Sequence, residues 1–531
     1  MKSRTRLVGF VLATGALLLA GCTGGGGGGK NTADGTIDIL VVKHGLTGPM
    51  ADMAWVKELE EKAGVTIRWE EVSADWSQKK ATMLAAGEVP DLIVGGNAIT
   101  NADLATYSSL FEDLSDDMDA LPNVQGMLDS HAELSAMATR STGEVYALPS
   151  YRRYWPETIS RQYINQDWLD TLGLEMPTTW DELFDVLVAF KEQDANGDGD
   201  PDDEIPWDWN PIDPAGFAAG QPTMLLGGLG LPTTYGGGQG YVVEDGTVLN
   251  FLVDDRYRQV IEFTHRAYEA GLISKQVMTQ DYSAFQSVGR GDGDVAKVGF
   301  SWGWTASDRF GAQLADQYTS MAPLEAEAGQ STPVTWNYDT ENFSPNHIVM
   351  SAGTADKDGA LAVIDAFYDP EISVQVLWGD LGENVERDGD GYTVLPPADE
   401  KSDPSTWKWT TTLADAGPHW IRDDVDVEPP ADLAEAVEQS EPLREALGNV
   451  DPDTDIYPFK YVNISTEDQS TITLNDTTVL NLAMTAFGRW VTEGGVEEEW
   501  DDYVAQLEGA GLPQNVEIYQ RYYDEYQASR S

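Results

Sequence analysis

Asp194, Asn196, Asp198 and Asp200 stand on alternate residues of the stretch Asp194-Ala195-Asn196-Gly197-Asp198-Gly199-Asp200. Oxygen donors at this spacing, with Gly199 free to turn sharply between them, follow the D-x-[DN]-x-[DN]-G pattern of loops that hold Ca²⁺. A hard cation would neutralise carboxylates that otherwise repel one another, and its role would be structural because the loop directly follows a long helix. An EF-hand also requires a glutamate at the twelfth position, where this chain has Ile205. An acidic turn without metal is the competing reading.

A second set of residues suits a sugar. Trp302 and Trp304 flank Gly303 in Lys297-Val298-Gly299-Phe300-Ser301-Trp302-Gly303-Trp304-Thr305. Indole faces fit the C–H faces of pyranose rings, and a glycine lets a ligand approach the backbone. Core packing is the alternative for both. Trp207, Trp209, Trp336 and Trp420, with Trp155, are weaker candidates for which packing is at least as good an account. The remaining catalytic signatures are missing: there is no G-x-S-x-G elbow, no H-E-x-x-H helix and no P-loop, and the five histidines are scattered. Carboxylates are too abundant for a glycosidase pair to stand out.

The one cysteine, Cys22, carries a different chemistry. Lys2, Arg4 and Arg6 precede an apolar run from Leu7 to Ala20, and the run ends Leu19-Ala20-Gly21-Cys22. This reads as a lipoprotein signal peptide over residues 1–21, too short to span a bilayer, with Cys22 as the acceptor of an acyl lipid such as palmitate. Gly24 to Gly29 follow as a flexible leash, and the linker runs over residues 22–35. A lone lipidated cysteine leaves no thiol for disulfides, redox chemistry or metal.

The elements that must position these residues are legible in places. Ile37 to Val42 reads as a strand, Ala54 to Ala63 as a helix, Val65, Ile67 and Trp69 as a strand, Trp76 to Ala86 as a helix stopped by Gly87, and Asp91 to Val94 as a buried strand. A β-α-β-α-β order requires a parallel sheet with right-handed crossovers. Further helices are expected over Thr179 to Gln193, with Thr179 as cap, over Tyr257 to Ala270, over Asp358 to Tyr368, and over most of the chain after Thr478. Lys297 to Trp302 and His347 to Ser351 read as strands. The formal net charge of −58 makes nucleic acid and anionic lipid head groups poor partners, so the membrane is reached only through the lipid anchor. With 17 Trp and 21 Tyr the chain is not disordered, and its length calls for two domains or more.

Several phrases, in order, resemble the extracellular solute-binding proteins of ABC transporters, in particular a large sugar-binding lipoprotein subgroup. They are Met83-Leu84-Ala85-Ala86-Gly87-Glu88-Val89-Pro90-Asp91-Leu92, Gly143-Glu144-Val145-Tyr146-Ala147-Leu148-Pro149, Asn165-Gln166-Asp167-Trp168-Leu169-Asp170-Thr171-Leu172-Gly173-Leu174 and Pro177-Thr178-Thr179-Trp180-Asp181-Glu182-Leu183. The segment Trp500 to Tyr526 resembles the helical tail of that subgroup. The resemblance implies an α/β, two-lobed periplasmic-binding-protein-like fold with a hinge and a ligand cleft. It implies a first lobe of 36–149 plus 318–375 and a second of 150–317 plus 376–531.

Tyr154, Arg152 and Arg153 would then follow the first crossing between lobes, where they could line the cleft and the arginines could pair with a charged or polar ligand group, although a solvated hinge face accounts for them equally. The Trp-Gly-Trp segment resembles one in which such proteins stack a tryptophan on sugar. The subgroup has a similar calcium loop ending Asp-Glu-Ile-Pro, here one residue longer, which leaves Asp202, Asp203 and Glu204 open as closing ligands. The expected function is a monomeric, lipid-anchored protein on the outer face of a bacterial membrane. It would capture a sugar or oligosaccharide and pass it to the permease subunits of an ABC importer, and it would not be an enzyme. A membrane-anchored hydrolase with paired carboxylates is the alternative, and a peptide-binding or sensor lipoprotein is a third.

Overall fold

The computed structural model describes residues 35–140, 142–153, 155–200, 203–212, 216–217, 219–234, 239–339, 342–397 and 407–530. The expected signal peptide, Cys22, the glycine linker, Tyr154 and Asp202 lie outside the described residues.

Alternation along Thr36–Val42 sends Ile37, Ile39 and Val41 into one apolar cluster and Leu40 into another, so both faces of this strand are covered. Helices Ala54–Ala63 and Lys357–Phe367 supply Trp55, Leu59, Leu361 and Ile364 to the first cluster. Helices Trp76–Ala86 and Asn101–Tyr107 supply Leu84 and Leu104 to the second. Gly87 ends its helix at φ 69°, a left-handed conformation that costs any residue with a Cβ.

Thr36–Val42 pairs in parallel with both Thr66–Val72 and Leu92–Val94, as the β-α-β-α-β reading requires. The complete sheet has six strands in the order Trp420–Ile421, Ala147–Arg152, Phe343–Met350, Leu92–Val94, Thr36–Val42, Thr66–Val72. Phe343–Met350 is antiparallel to both of its neighbours.

A second sheet of four strands runs Tyr318–Ser320, Arg161–Asn165, Val298–Gly303, Ile205–Trp207. Helix Trp180–Glu192, capped by Thr179, and helix Asp255–Glu269 pack on it. The tail helices Thr466–Glu493, Val496–Gly509 and Leu512–Arg530 bury Phe487, Trp490, Trp500 and Tyr519 in the same core. The two sheets and their cores form the two lobes of a mixed α/β fold.

Among the described residues the chain passes between the lobes three times, after Arg152, after Ser320 and between 428 and 443, so the first lobe runs through Arg152 rather than ending at 149, and two further boundaries move. Tyr318–Ser320 is hydrogen-bonded to Arg161–Asn165, so the return to the first lobe comes after Ser320 rather than before Tyr318. Val376 and Leu413 lie in the first core and Trp420–Ile421 pairs with Tyr151 and Arg152, so the first lobe does not end at residue 375. Strands of two and three residues are too short to show a period, which is why the sequence pattern could not assign them.

Beneath the second sheet Asp208 and Arg309 form an ion pair at 2.7 Å, with both side chains 1% exposed. Arg309 also donates to Ser301 Oγ and the Phe285 carbonyl, and Gln280 donates to Asp208. Every polar group of the pair is therefore partnered, and removing one member strands a buried charge. Asp208→Ala is expected to lower the unfolding free energy by about 3 kcal/mol in urea titration. Asp181→Ala, which breaks the exposed pair with Arg266, should change it by less than about 0.5 kcal/mol.

Candidate ligand-binding cleft between the lobes

In open sheets with parallel strands, ligands gather beyond the carboxyl ends of those strands. Here those ends are Val42 and Val94 in the first lobe and Gly303 in the second. Gly95 and Gly96 follow Val94, and a Cβ at Gly96 would sit 3.0 Å from the Asp415 carbonyl oxygen and 3.4 Å from the His347 ring. A side chain there would press on that carbonyl and ring, which would have to give by a few tenths of an ångström. Beyond it lies a cavity of about 200 Å³ lined by Arg152, Trp155, Ile159, Trp304, Ser344, His347, Asp415 and His419. These side chains come from the first sheet, from the second, and from the crossing between them, so the cavity is the seam where the lobes meet.

A run of four side chains spans that seam. The Arg152 guanidinium lies 3.4 Å from the centre of the Trp155 ring, Trp155 stacks on Trp304 with centroids 5.3 Å apart at 24°, and Arg161 lies 4.6 Å from the Trp304 ring. Guanidinium and indole attract through the ring quadrupole, more strongly where water is excluded. Arg152 also pairs with the Asp415 carboxylate. Arg161 is fully buried and donates to the Trp304 carbonyl at 2.9 Å, to the Thr158 carbonyl at 3.1 Å and to Ser440 Oγ. Trp304 is thus held at both its backbone and its ring.

The floor is formed by two buried histidines whose rings meet edge to face at 5.7 Å. Each gives its Nδ1–H to the Gly417 carbonyl, at 3.0 Å from His347 and 2.8 Å from His419, and Ser344 Oγ donates to His347 Nε2 at 2.8 Å. Burial, with Arg152 nearby, holds His347 down to about 4. Burial, with His347 and Arg152, holds His419 down to about 3. Both imidazoles are neutral at physiological pH. A larger cavity of about 930 Å³ shares Trp155 and is walled by the third crossing and helix Ala431–Glu438, including Val437 and Glu438.

Of the residues singled out by pattern, Trp304 and Arg152 line the cleft, as does Trp155 from among the weaker ones. Trp302 does not. It is 1% exposed and packs edge to face on Phe300 and Trp207. Trp207 and Trp209 are fully buried against each other at 5.2 Å, and Trp336 is buried with its Nε1–H on the Ser160 carbonyl at 2.8 Å. Trp420 is half-buried against the first core, its ring edge over Gly126. Arg153 turns away from the cavity and donates to the Asp423 carbonyl. Arg161, Ser344, His347, Asp415 and His419 went unseen in the sequence, because nothing local marks them.

In the acidic loop, the backbone N–H of Asp198 donates to Asn196 Oδ1, that of Gly199 to Asp194 Oδ2 and that of Asp200 to Asp198 Oδ1. Glu204 Oε1 accepts from the backbone of Ala195 and Asn196, and Asp203 Oδ1 accepts from the Asn196 amide. Asp203 and Glu204 therefore fold back on the start of the loop, and Glu204 closes it. Asp194 Oδ1 and Glu204 Oε2 are buried without a donor, and burial raises the Glu204 carboxyl above its usual range. Two carboxylate oxygens buried without a donor have the chemistry to accept a hard cation. Among the described residues, however, no group of three or more His, Cys, Asp or Glu side chains is gathered to hold a metal.

The chain is similar over 93% of its length, and over all of the other chain, to an HMO-binding ABC-transporter-associated solute-binding protein from Bifidobacterium longum infantis, with 35% identity and a TM-score of 0.87. It is 27% identical, over the full length of both, to the fructooligosaccharide ABC transporter substrate-binding protein FusA of Streptococcus pneumoniae. The kestose complex of FusA superposes with a TM-score of 0.80. Lipoprotein LipO of Bacillus subtilis is 26% identical over 74% of this chain and 76% of its own. The first two of these are named as solute- or substrate-binding proteins of ABC transporters. Residues 46–373, more than half of the chain, match the family model described as bacterial extracellular solute-binding protein, and the chain belongs to that family.

Proposed function

We propose that this protein captures an oligosaccharide outside the cell, closes its lobes over it, and delivers it to the permease subunits of an ABC importer. The observation that carries the reading is the seam: Trp304 on one lobe and Trp155 on the crossing meet where a closing cleft would grip a sugar ring. A ligand that touches both lobes only in the closed form selects that form. The related proteins are named for fructooligosaccharide and HMO binding, which supports a sugar over a peptide or a sensor role. Binding by a protein of this kind leaves the glycan intact, and release of product during incubation would favour the hydrolase reading instead.

We further propose that Ca²⁺ completes the acidic loop through Asp194, Asn196, Asp198, Asp200 and Glu204, with Asp203 and Asp202 as further oxygen donors. The ion would tie the end of helix Trp180–Glu192 to the strand that begins at Ile205. The FusA comparison includes a structure titled as an EF-hand mutant, which supports looking for a cation in this loop. At the amino end, Cys22 carries the lipid and the glycine linker lets a monomeric capture domain search near its permease, raising its local concentration there. Among the described residues no helix is long and apolar enough to cross a membrane.

Four measurements check these proposals. In calorimetric titration with a panel of oligosaccharides, Trp304→Ala is expected to weaken the best ligand by about tenfold or more, as loss of about 1.5 kcal/mol requires, with a loss of stability well below that of Trp302→Ala. Trp302→Ala should instead cost about 3 kcal/mol of stability or more, the usual penalty for a truncated core tryptophan. Equal stability losses in the two variants would remove Trp304 from the site. Chelation should lower the melting midpoint and added Ca²⁺ restore it, an effect lost in the Asp194→Asn, Glu204→Gln double variant; an unchanged midpoint rules the cation out. Cys22→Ala should release the protein from the cell surface into the medium with its sugar affinity unchanged.

A further inference from the structure

The charges in the cleft are already matched with one another, and this bears on which sugars can enter. Arg152 is only 9% exposed at its side chain and is committed to Asp415, while the Asp415 side chain is 51% exposed at the cavity. Both members belong to the first lobe: Arg152 ends the strand Ala147–Arg152, and Asp415 sits in the turn Ala414–Ala416 beside the core residue Leu413. The pair therefore persists whether the lobes are apart or together. Arg161, the cation at the other end of the seam, spends its donors on two carbonyls and a hydroxyl. Lys43, at the end of the strand Thr36–Val42, is 7% exposed and paired with Glu71. The two floor histidines are neutral, and each has given its proton-bearing nitrogen to Gly417.

Resting on the sugar-binding reading above, we propose that the cleft takes uncharged oligosaccharides and rejects those bearing carboxylates, such as uronates and sialylated glycans. The exposed partner of the Arg152–Asp415 pair is the anion, and it offers acceptor oxygens to sugar hydroxyls in charge-assisted hydrogen bonds. A ligand carboxylate meets that same anion first. To reach Arg152 it must displace Asp415, leaving two like charges side by side in a partly desolvated site. An arginine held open for a carboxylate would have its fork exposed, and here it is covered. This local repulsion is separate from the net charge of −58, which repels anions from a distance and is screened by salt.

The test is calorimetric titration of the full mature protein, at salt high enough to screen the surface, against neutral oligosaccharides and acidic oligosaccharides of similar size. Suitable probes are kestose, lacto-N-tetraose and galactotriose on one side, and sialyl-lacto-N-tetraose and trigalacturonate on the other. Tighter binding of a neutral probe than of an acidic one of similar size by about tenfold or more supports the inference. Asp415→Asn should narrow or reverse that preference, by freeing Arg152 and removing the repelling charge, while Asp424→Asn, on an exposed carboxylate outside the cavity, should leave it unchanged. Acidic probes binding as tightly as neutral ones, or a preference that Asp415→Asn leaves intact, overturns the inference while sparing the sugar reading. Binding of neither class overturns the sugar reading itself, and this inference with it.

Discussion

Arg152 is the last residue of a strand in one sheet and Arg161 is the first of a strand in the other, so residues 153–160 must join two buried guanidinium groups across the boundary between the lobes. A buried arginine is tolerated only when its donors and charge are met. Arg152 is met by Asp415 and by the face of Trp155, and Arg161 by backbone carbonyls, Ser440 and the face of Trp304. The stack of Trp155 on Trp304 is what these two solutions leave between them. Because Trp304 belongs to the second lobe while Trp155 follows directly on the first, any opening of the cleft must part the stack, and any ligand held there is held by both lobes.

Neighbouring residues of an extended chain point in opposite directions, and that rule separates Arg152 from Arg153. Tyr151 and Arg153 both turn to Asp423, one through its hydroxyl at 2.7 Å and the other through the backbone carbonyl. Arg152 turns the other way, into the cavity. The sequence shows two adjacent arginines after a strand but not which of them faces inward, because that depends on which side of the sheet the second lobe occupies. The tryptophans divide for a related reason. Val298–Gly303 is buried on both faces, so alternation cannot tell Trp302 from a ligand contact, and only Trp304 lies past the last paired residue at Gly303.

What was legible was local. Gly87, Thr179 and the apolar period of Ala54–Ala63 mark elements whose ends the structure reproduces within a residue or two, since caps and amphipathic faces are decided by neighbours in sequence. The histidines show the opposite case. His347 lies on Phe343–Met350 and His419 just before Trp420–Ile421, and they meet because the strand Ala147–Arg152 has those two elements on either side of it. Strand order is a property of the assembled sheet, so no spacing in the chain could announce the pair. The acidic loop is intermediate: the alternating oxygens were visible, while the return of Glu204 onto the backbone of Ala195 and Asn196 was not, because it depends on the path of the turn between them.

The placement of Trp304 also explains why the lobe beneath it is so heavily tied together. Helix Ala306–Phe310 begins one residue beyond Thr305, whose Oγ1 accepts from the Asp308 backbone at 3.0 Å, so Trp304 is bounded by a paired strand and a capped helix. Arg309 on that helix reaches under the strand to Asp208, and a Cβ at Gly303 would lie 2.8 Å from the Arg309 Cβ, so the glycine allows the helix to press against the strand end. The apolar block of Trp207, Trp209, Phe300 and Trp302 backs this contact with rings 5.2–6.1 Å apart. A side chain fixed this firmly loses little further freedom when a sugar settles on it, and ordering a contact residue otherwise costs about 0.5–1.5 kcal/mol. The buried tryptophans that do not line the cleft thus hold rigid the one that does.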